Sequence, residues 1–200
     1  DTSNPYYNYY SCVTAAEKVG GVTYQKIAGI DCWYECNFSG DMPELNFDNP
    51  EVKQAMLDVA KYYLDLGIDG FRFDLAGLID TQTIREIMES VTRKHPNVIF
   101  YGEGWDMQTH VTKPGVLLTT QANAQEVPGF AFFNDTIRDL LRGSVFDNTL
   151  PGFVSGLPGD HKELWKCSMG LADWCSSPLQ TVNYVSCHDN NTLLDRIALA

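Results

Sequence analysis

The sequence predicts an α/β fold with a parallel sheet, because strand-like apolar runs alternate with amphipathic helix patterns along most of the chain. A helical crossover returns the chain in the same direction, so strands joined in this way lie parallel. Four strand–helix units fit between residues 68 and 200. A closed barrel of eight units takes about 250 residues, so we expect residues 49–200 to form about the second half of a (β/α)8 (TIM) barrel. Residues 1–48 are expected to form an irregular loop region rich in aromatic side chains.

Three of the predicted strands end in an acidic residue, namely Asp74, Glu103 and Asp189. Arg72 precedes Asp74 by two residues, so both side chains point to the same face of the strand and the arginine keeps the carboxylate ionised. The carboxyl ends of parallel barrel strands meet on one face, so we expect the three carboxylates to share a pocket. Such a pocket is typical of a glycosidase. The three runs are residues 68–75, 98–103 and 182–189.

Helix signals lie between the strands. Asn49, Pro50 and Glu51 supply a capping side chain, a proline at the first helical position and an acid at the positive end of the helix dipole, and Gly67 is expected to end this helix. Its apolar face is predicted to contain Val52, Ala55, Met56, Val59, Tyr63 and Leu66. Asp80 or Thr81 is expected to cap a second helix, with an apolar face made of Ile84, Ile87, Met88 and Val91.

The rest of the chain continues the same alternation. Residues 129–133 are predicted to be a strand, and a short helix follows them. Residues 143–178 are expected to be a loop that contains glycine and proline. The last strand then leads into a helix from Thr192 onward.

Two interpretations are open for the aromatic side chains of residues 1–48. They could stack on the apolar faces of sugar rings, or they could hold the loop together by packing. The residues concerned are Tyr6, Tyr7, Tyr9, Tyr10, Trp33 and Tyr34.

Composition excludes some classes of function. The net charge of −12 argues against nucleic acids and anionic membrane surfaces as partners, because both attract basic proteins. No apolar run is long enough to span a bilayer, and the first residues lack the features of a signal peptide. Six irregularly spaced cysteines are interpreted as buried thiols rather than a disulfide framework, so the cellular compartment is left open.

Three segments resemble catalytic motifs of the α-amylase family of glycoside hydrolases (family 13), whose members are (β/α)8 barrels. The segments are Gly70-Phe71-Arg72-Phe73-Asp74-Leu75, Tyr101-Gly102-Glu103-Gly104-Trp105-Asp106 and Asn183-Tyr184-Val185-Ser186-Cys187-His188-Asp189-Asn190. Their order and spacing also fit the family. The resemblance covers residues 45–200 and implies hydrolysis of α-glucans.

Within this family the chain looks most like the type I pullulanases, which cleave α-1,6 bonds. Gly77-Leu78 stands where α-amylases carry Lys-His, which favours a debranching enzyme. The sequence also departs from the pullulanase pattern: the family's first motif is absent, Leu194 replaces a usual tryptophan, and residues 41–46 look more like neopullulanases and maltogenic amylases. An α-1,4 specificity is therefore kept as the alternative. The segments that carry the pullulanase resemblance are residues 132–135, 138–139, 142–146 and 152–156.

Cleavage of a glycosidic bond needs a proton for the leaving oxygen and a group that meets the oxocarbenium-like carbon. The resemblance implies that Asp74, beside Arg72, is the nucleophile and that Glu103 is the acid/base. It also implies that Asp189 holds sugar hydroxyls and that His188 donates a hydrogen bond to the same sugar.

Further expectations concern residues near these acids. Trp105 is expected either to stack on substrate or to pack in the core, and Asn190 is expected to contact substrate. Asn134 and Asp135 lie at a strand end, where capping of the next helix is favoured over substrate contact. Cys187 is expected to be a packing thiol.

The two glycines beside the acid/base candidate, Gly102 and Gly104, are expected to let substrate approach closely. No sequential cluster offers a metal site, and the chemistry requires no cofactor. A structural calcium held by scattered loop oxygens is kept as an expectation from the resemblance.

The expected function is thus a retaining α-glucan hydrolase specific for α-1,6 linkages, with an α-glucan as its partner molecule. Alternatives are an α-1,4-acting relative, a catalytically inactive carbohydrate-binding segment, or another hydrolase built on a (β/α) barrel. We expect the remainder of the barrel to be needed for activity, because a partial sheet leaves unpaired strand edges.

Overall fold

A computed structural model describes residues 9–18, 20, 22–29, 32–36, 45–108 and 114–199. The chain forms two structural units, each described by itself. The first comprises Asp1–Gly70, Leu78–Val98 and Asp106–Leu118, and the second comprises Phe71–Gly77, Ile99–Trp105 and Thr119–Ala200. Within the described ranges, the helices are all too short or too polar to cross a bilayer.

The first unit contains a small antiparallel sheet, so the prediction of an irregular loop over residues 1–48 is wrong for the part of that segment that is described. Its strands are β1 (Cys12–Val13), β2 (Tyr24–Lys26) and β3 (Trp33–Glu35), with β3 in the middle. Tyr34 is opposite Cys12 on one side and Gln25 on the other. Strands of two or three residues are too short to show an alternating pattern, which is why no periodicity marks them.

Aromatic side chains of this sheet contact other side chains of the same unit. The Lys18 Nζ atom lies 3.3 Å from the centroid of the Trp33 ring, a cation–π contact. The rings of Tyr10 and Tyr34 meet edge to face at 5.8 Å. For these residues the contacts favour the packing interpretation. Outside the described residues lie Tyr6, Tyr7 and residues 41–44.

Two helices of the first unit begin where the sequence predicts. Helix α1 spans Pro50–Asp65, and the Asn49 side chain accepts a hydrogen bond from the first turn. Helix α2 spans Thr81–Thr92, and the Asp80 side chain accepts one from the third residue of the helix. Both caps satisfy amide groups that have no partner inside the helix.

The buried side of α1 differs from the predicted apolar face. Val59 and Leu66, which belong to that face, are 51% and 64% exposed. Helix α1 contacts α2, and an ion pair of 2.9 Å between Lys53 and Glu86 connects them. Periodicity locates an apolar stripe, but the neighbouring helix decides which side of it is buried. The buried residues of α1 are Val52, Ala60 and Leu64.

The second unit is built on a four-stranded sheet in the order β4-β5-β6-β7. The pairs β5–β6 and β6–β7 are parallel, as predicted from the alternation of strands and helices. Registered neighbours include Gly102 with Phe132, and Asn134 with Asn183. The strands are β4 (Gly70–Phe73), β5 (Ile99–Gly102), β6 (Phe130–Asn134) and β7 (Thr181–Asn183).

Three α-helices follow in this unit: α3 (Asp135–Arg142), α4 (His161–Ser168) and α5 (Leu193–Leu199). Helix α4 lies inside residues 143–178, which were expected to be a loop. Its signal was present, because the Asp160 side chain accepts hydrogen bonds from the amides of Lys162 and Glu163. The segment between β5 and β6 contains a 3-10 helix, Gln121–Glu126, rather than an α-helix.

Phenylalanine rings form the core of the second sheet. Phe130 and Phe132 are fully buried, and their ring centroids are 5.0 Å apart. Phe73 meets Phe130 at 5.7 Å, and Phe71 stacks on Phe100 at 6.0 Å. Burial of each such ring contributes about 1.5–3 kcal/mol, so the strands that carry the acidic residues are held by their own side chains.

Candidate active site

The three predicted catalytic carboxylates all lie in the second unit, beyond the carboxyl ends of its strands. Asp74 follows β4 directly and Glu103 follows β5 directly. Asp189 and His188 lie in the loop between β7 and α5. Because β5 and β7 both run parallel to β6, their carboxyl ends lie at the same edge of the sheet.

Arg72 joins two of the carboxylates. Its Nη1 atom donates to Asp74 Oδ1 at 2.6 Å, and its Nη2 atom donates to Glu103 Oε1 at 2.7 Å. The guanidinium group also lies over the ring of Phe133, 5.5 Å from its centroid. Burial lowers the pKa of Arg72, but the hydrogen bond to Asp74 and the charges of both acids outweigh burial and raise the pKa above its ordinary value. Arg72 is therefore a permanent cation between the two acids.

Glu103 is the buried member of the group, with 4% of its surface exposed. Its Oε1 atom accepts from Arg72, and its Oε2 atom accepts from the amide of Leu75 at 3.1 Å. Leu75 has a positive φ of 48°, an uncommon conformation outside glycine. The turn after β4 thus aims an amide at Glu103, so that each carboxylate oxygen of this buried side chain accepts a hydrogen bond.

Gly102 and Gly104 are required by packing, and their expected role in substrate approach stays a prediction. A Cβ atom on Gly102 would lie 2.4 Å from the carbonyl oxygen of Phe73. A Cβ atom on Gly104 would lie 2.3 Å from Cδ1 of Phe132. Both directions are filled by protein atoms, so the glycines let the Glu103 backbone lie close against its neighbours.

His188 lies beside both aspartates. Its Nε2 atom is 3.5 Å from Asp74 Oδ1 and 3.5 Å from Asp189 Oδ1, and its Nδ1 atom is 3.4 Å from Arg72 Nη2. The side chains of Asp74 and Asp189 are 58% and 59% exposed, whereas that of Glu103 is 5% exposed. The site therefore has one buried carboxylate and two open to solvent.

Trp105 lies beside a second arginine, Arg138. The guanidinium carbon is 5.6 Å from the Trp105 ring and 5.8 Å from the Tyr184 ring, and Nη1 donates to the Tyr184 hydroxyl at 2.9 Å. Burial lowers the pKa of Arg138, but its hydrogen bonds and charge interactions with Asp139 and Tyr184 raise the pKa well above its ordinary value. Trp105 is half-buried, so packing and sugar stacking both remain available to it.

The expected capping role of Asn134 and Asp135 is wrong. Asn134 occupies the cap position of α3 but makes no capping hydrogen bond, and its Nδ2 atom donates to Asn183 Oδ1 at 3.1 Å. Asp135 Oδ1 accepts from Gln121 Nε2 at 3.0 Å. Asn134 is fully buried between the strands, where a neighbouring amide is a closer partner than the helix start. Asn190, expected to contact substrate, is exposed and has a φ of 63°.

Donor atoms close enough to share a metal ion occur in two groups of the described residues, in each case within 4.8 Å of one another: Cys187, His188 and Asp189, and Asp74, Glu103 and His188. The first group is sequential and was missed, because Cys187 was expected to be a packing thiol and is exposed. Sulfur, nitrogen and oxygen donors suit zinc. The permanent charge of Arg72 lies within 3.4 Å of both groups and disfavours a second cation there.

Comparison with known proteins identifies relatives of this chain. The family model described as the alpha amylase catalytic domain matches residues 8–141. A pullulanase of Bacillus subtilis (strain 168) is 31% identical over 177 residues, which are 85% of this chain and 24% of that protein. Neopullulanase 2 of Thermoactinomyces vulgaris is 41% identical over 64 residues, 32% of this chain and 11% of that protein.

Solved structures agree with these matches. A pullulanase from Anoxybacillus sp. LM18-11, crystallised with maltotriose, superposes with a TM-score of 0.74 and 38% identity over 82% of this chain and 23% of its own. The fold prediction of a partial (β/α)8 barrel is thereby confirmed. The chain spans about a quarter of the length of these two pullulanases, from Bacillus subtilis and Anoxybacillus.

Proposed function

Because this chain belongs to the α-amylase family, we propose that the protein containing it is a retaining glycoside hydrolase that cleaves α-1,6 branch linkages of α-glucans. One distance carries the proposal. A carboxylate oxygen of Asp74 and one of Glu103 lie within 4.8 Å of each other. Retaining glycosidases hold their two carboxyl groups about 5–5.5 Å apart, whereas inverting enzymes need about 6.5–9.5 Å to admit a water molecule.

In the proposed first step Asp74 attacks the anomeric carbon and forms a glycosyl ester, while Glu103 gives its proton to the leaving glycosidic oxygen. In the second step Glu103 removes a proton from water, and the resulting hydroxide oxygen bonds to the same carbon and releases Asp74. The first step breaks the glycosidic bond and the second breaks the ester bond to Asp74; each step inverts the configuration at this carbon, so the product keeps the α configuration. No cofactor takes part.

Arg72 couples the protonation state of Glu103 to the progress of the reaction. It donates to both Asp74 and Glu103, so the two acids share one cation. When Asp74 becomes an ester it loses its negative charge, and the field of Arg72 then acts on Glu103 without competition. That change favours the ionised form of Glu103, which is the form that the second step needs as a base.

Substrate would be held by the side chains around these acids. Asp189 is exposed and 3.5 Å from His188, so an acceptor and a donor can engage adjacent sugar hydroxyls. Trp105 offers a half-buried ring that can stack on a sugar, and Asn190 lies on the same loop as Asp189. The α-glucan is the proposed partner molecule because the pullulanase from Anoxybacillus was crystallised with maltotriose.

The role of the two acids is tested by Asp74→Asn and Glu103→Gln in the full-length protein. We expect Glu103→Gln to lower kcat on pullulan by about 10²–10⁴, the usual contribution of an acid/base, and Asp74→Asn to abolish the glycosyl intermediate seen by mass spectrometry after rapid quenching. Asp173→Asn is the matched control, because Asp173 is exposed and pairs with Lys166. Near-normal turnover by either active-site variant would contradict the role assigned to that residue, whereas a wild-type protein that binds but does not hydrolyse the glucan would favour a carbohydrate-binding role.

Linkage specificity is tested by the product formed from pullulan. Maltotriose means cleavage of α-1,6 bonds, whereas panose or isopanose means cleavage of α-1,4 bonds. The α-1,4 alternative is supported by the similarity of a 64-residue segment to Neopullulanase 2. The α-1,6 proposal is supported by similarity to pullulanases over 85% of the chain.

We also propose that these 200 residues are inactive alone. Within the described residues, β4 and β7 are the outer strands of the second sheet and each has one unpaired edge. Turnover by the isolated chain at the rate of the full-length protein would contradict this.

A structural calcium is a separate proposal. A fall in Tm of the full-length protein after dialysis against a chelator, restored by calcium, would support it, and an unchanged Tm would contradict it.

A further inference from the structure

The loop that carries His188 and Asp189 is open to solvent, yet it places both side chains against other residues of the site. Their side chains are 55% and 59% exposed. Within the loop, Cys187 Sγ donates to the backbone oxygen of Asp189 at 3.8 Å. Ser186 Oγ accepts from the amide of Leu193 at 2.9 Å, which closes the far end of the loop. Most of the constraint must therefore come from outside it.

Arg142 supplies that constraint. It is the last residue of α3 and is 2% exposed. Its Nη1 atom donates to the carbonyl of Val185 at 3.0 Å, and its Nη2 atom donates to the carbonyl of Asn191 at 2.6 Å. These two carbonyls stand immediately before and immediately after the segment 186–190. One rigid, planar group thus fixes the distance between the two ends of the segment that carries His188 and Asp189.

The charge of Arg142 has no acidic partner among the described residues. Its Nη1 and Nη2 atoms donate to backbone carbonyls. Its Nε atom is buried with no hydrogen-bond partner in the part of the chain that the structure describes. A buried cation without a carboxylate is costly, and an apolar side chain of the same volume would serve packing alone better. The arrangement therefore indicates a role other than packing.

We propose that Arg142 is a positioning residue that holds the segment 186–190 so that His188 and Asp189 face Asp74. This inference rests on the proposed function for its kinetic consequence only. The geometric part, control of the loop by Arg142, stands without it.

Arg196 in α5 provides a matched control. It is 1% exposed, its Nη atoms also donate to two backbone carbonyls, and its Nε atom likewise has no hydrogen-bond partner in the described ranges. The carbonyls that accept these hydrogen bonds belong to Asn148 and Leu150, in a loop that contributes no residue to the proposed site. The two arginines match in burial and bonding and differ in which loop they hold.

The experiment compares Arg142→Met and Arg142→Lys with Arg196→Met and Arg196→Lys in the full-length protein. Hydrogen–deuterium exchange over residues 185–191 is measured first, because it requires no substrate. Loss of two charge-assisted hydrogen bonds should raise exchange there by about tenfold or more in Arg142→Met, with the change for Arg196→Met confined to residues 147–151. Arg142→Lys, which keeps the charge but can reach one carbonyl at a time, should lie between Arg142→Met and wild type.

Kinetic measurements then distinguish a positioning role of Arg142 from a role in protein stability alone. Well below the Tm of the weakest variant, Arg142→Met should lower kcat/KM on pullulan by about 100-fold, the scale expected when a catalytic group is misplaced by about 1 Å. Arg142→Lys should recover part of this loss, and the Arg196 variants should stay within about threefold of wild type. Equal effects from the two arginines, or unchanged exchange over residues 185–191, would overturn the proposal. If wild type turns over no α-glucan while the exchange result holds, the proposed function fails and the positioning role of Arg142 survives.

Discussion

Replacement of Arg72 tests the shared-cation arrangement most directly. Two of its nitrogen atoms contact two different acids at 2.6 and 2.7 Å, and a lysine ammonium is a single point that cannot reproduce both contacts. The contact with Asp74 contributes about 0–1 kcal/mol, because that carboxylate is 58% exposed. The contact with Glu103 is worth more, since that side chain is 5% exposed and removal of one partner of a buried pair costs about 3–5 kcal/mol.

Glu103 retains the hydrogen bond from the Leu75 amide, so the lower end of that range applies. That cost of about 3 kcal/mol applies to the folded state, so we expect Arg72→Met to lower Tm. Displacement of the two acids by about 1 Å lowers the rate by about 100-fold, so we expect Arg72→Met to lower kcat/KM on pullulan by about 100-fold or more, and Arg72→Lys to lower it by a smaller factor.

The assay is steady-state hydrolysis of pullulan by the full-length protein, together with its Tm. Arg93→Met is the control, because Arg93 is an exposed residue directly after α2 whose Nε atom donates to the carbonyl of Glu89, and its change should stay within about 0.5 kcal/mol. If Arg72→Lys keeps kcat/KM within threefold of wild type, the two acids do not depend on one shared cation.

Two further changes test packing and acid stability. Gly104→Ala should lower Tm and activity together, because its Cβ would lie 2.3 Å from a ring carbon of Phe132, and such overpacking costs about 1–3 kcal/mol. Gly20→Ala should be tolerated, because no atom of the described residues, its chain neighbours aside, would lie within 4 Å of its Cβ; equal effects of the two changes in thermal melts would contradict the packing role. The pKa of Glu86 lies below its ordinary value because of its hydrogen bonds to Lys53 and Gln82. The contribution of this carboxylate is therefore present above the unfolded pKa near 4.5 and lost as the pH falls through the lower folded value. Lys53→Met should lower Tm at pH 7 and leave it near wild type at the acidic end of a pH series, with a small difference because the pair is partly exposed; a pH-independent difference would contradict the linkage.

The parallel sheet and its acids could be predicted because each strand is a local signal. Asp74 and Glu103 each follow an apolar run directly, and the carboxyl ends of such strands share an edge. The antiparallel sheet of the first unit could not be predicted, since β1 has two residues and its pairing with β3 depends on backbone bonds between distant segments. Short strands leave no periodic pattern to detect.

Side-chain partners were predicted well only within one strand. The Arg72–Asp74 pair follows from a spacing of two residues, whereas the pairing of Asn134 with Asn183 depends on a register that no local pattern specifies. The role of Arg142 is of the same kind, because its carbonyl partners are 43 and 49 residues away. Helix α4 is different, because its Asp160 cap is a local signal. The helix has only eight residues and lies among glycines and prolines, which favour a loop.

The side-chain contacts of Arg72 join residues that the ribosome adds at different times. Arg72 reaches Glu103, 31 residues later, and His188, 116 residues later. At a translation speed of about 5–20 residues per second, the ribosome needs roughly 6–23 seconds after adding Arg72 before His188 is even made. During that interval the nascent chain contains Arg72, Asp74 and, 31 residues after Arg72, Glu103, but it lacks His188 and Asp189, so the proposed site cannot be complete before residue 189 has been made.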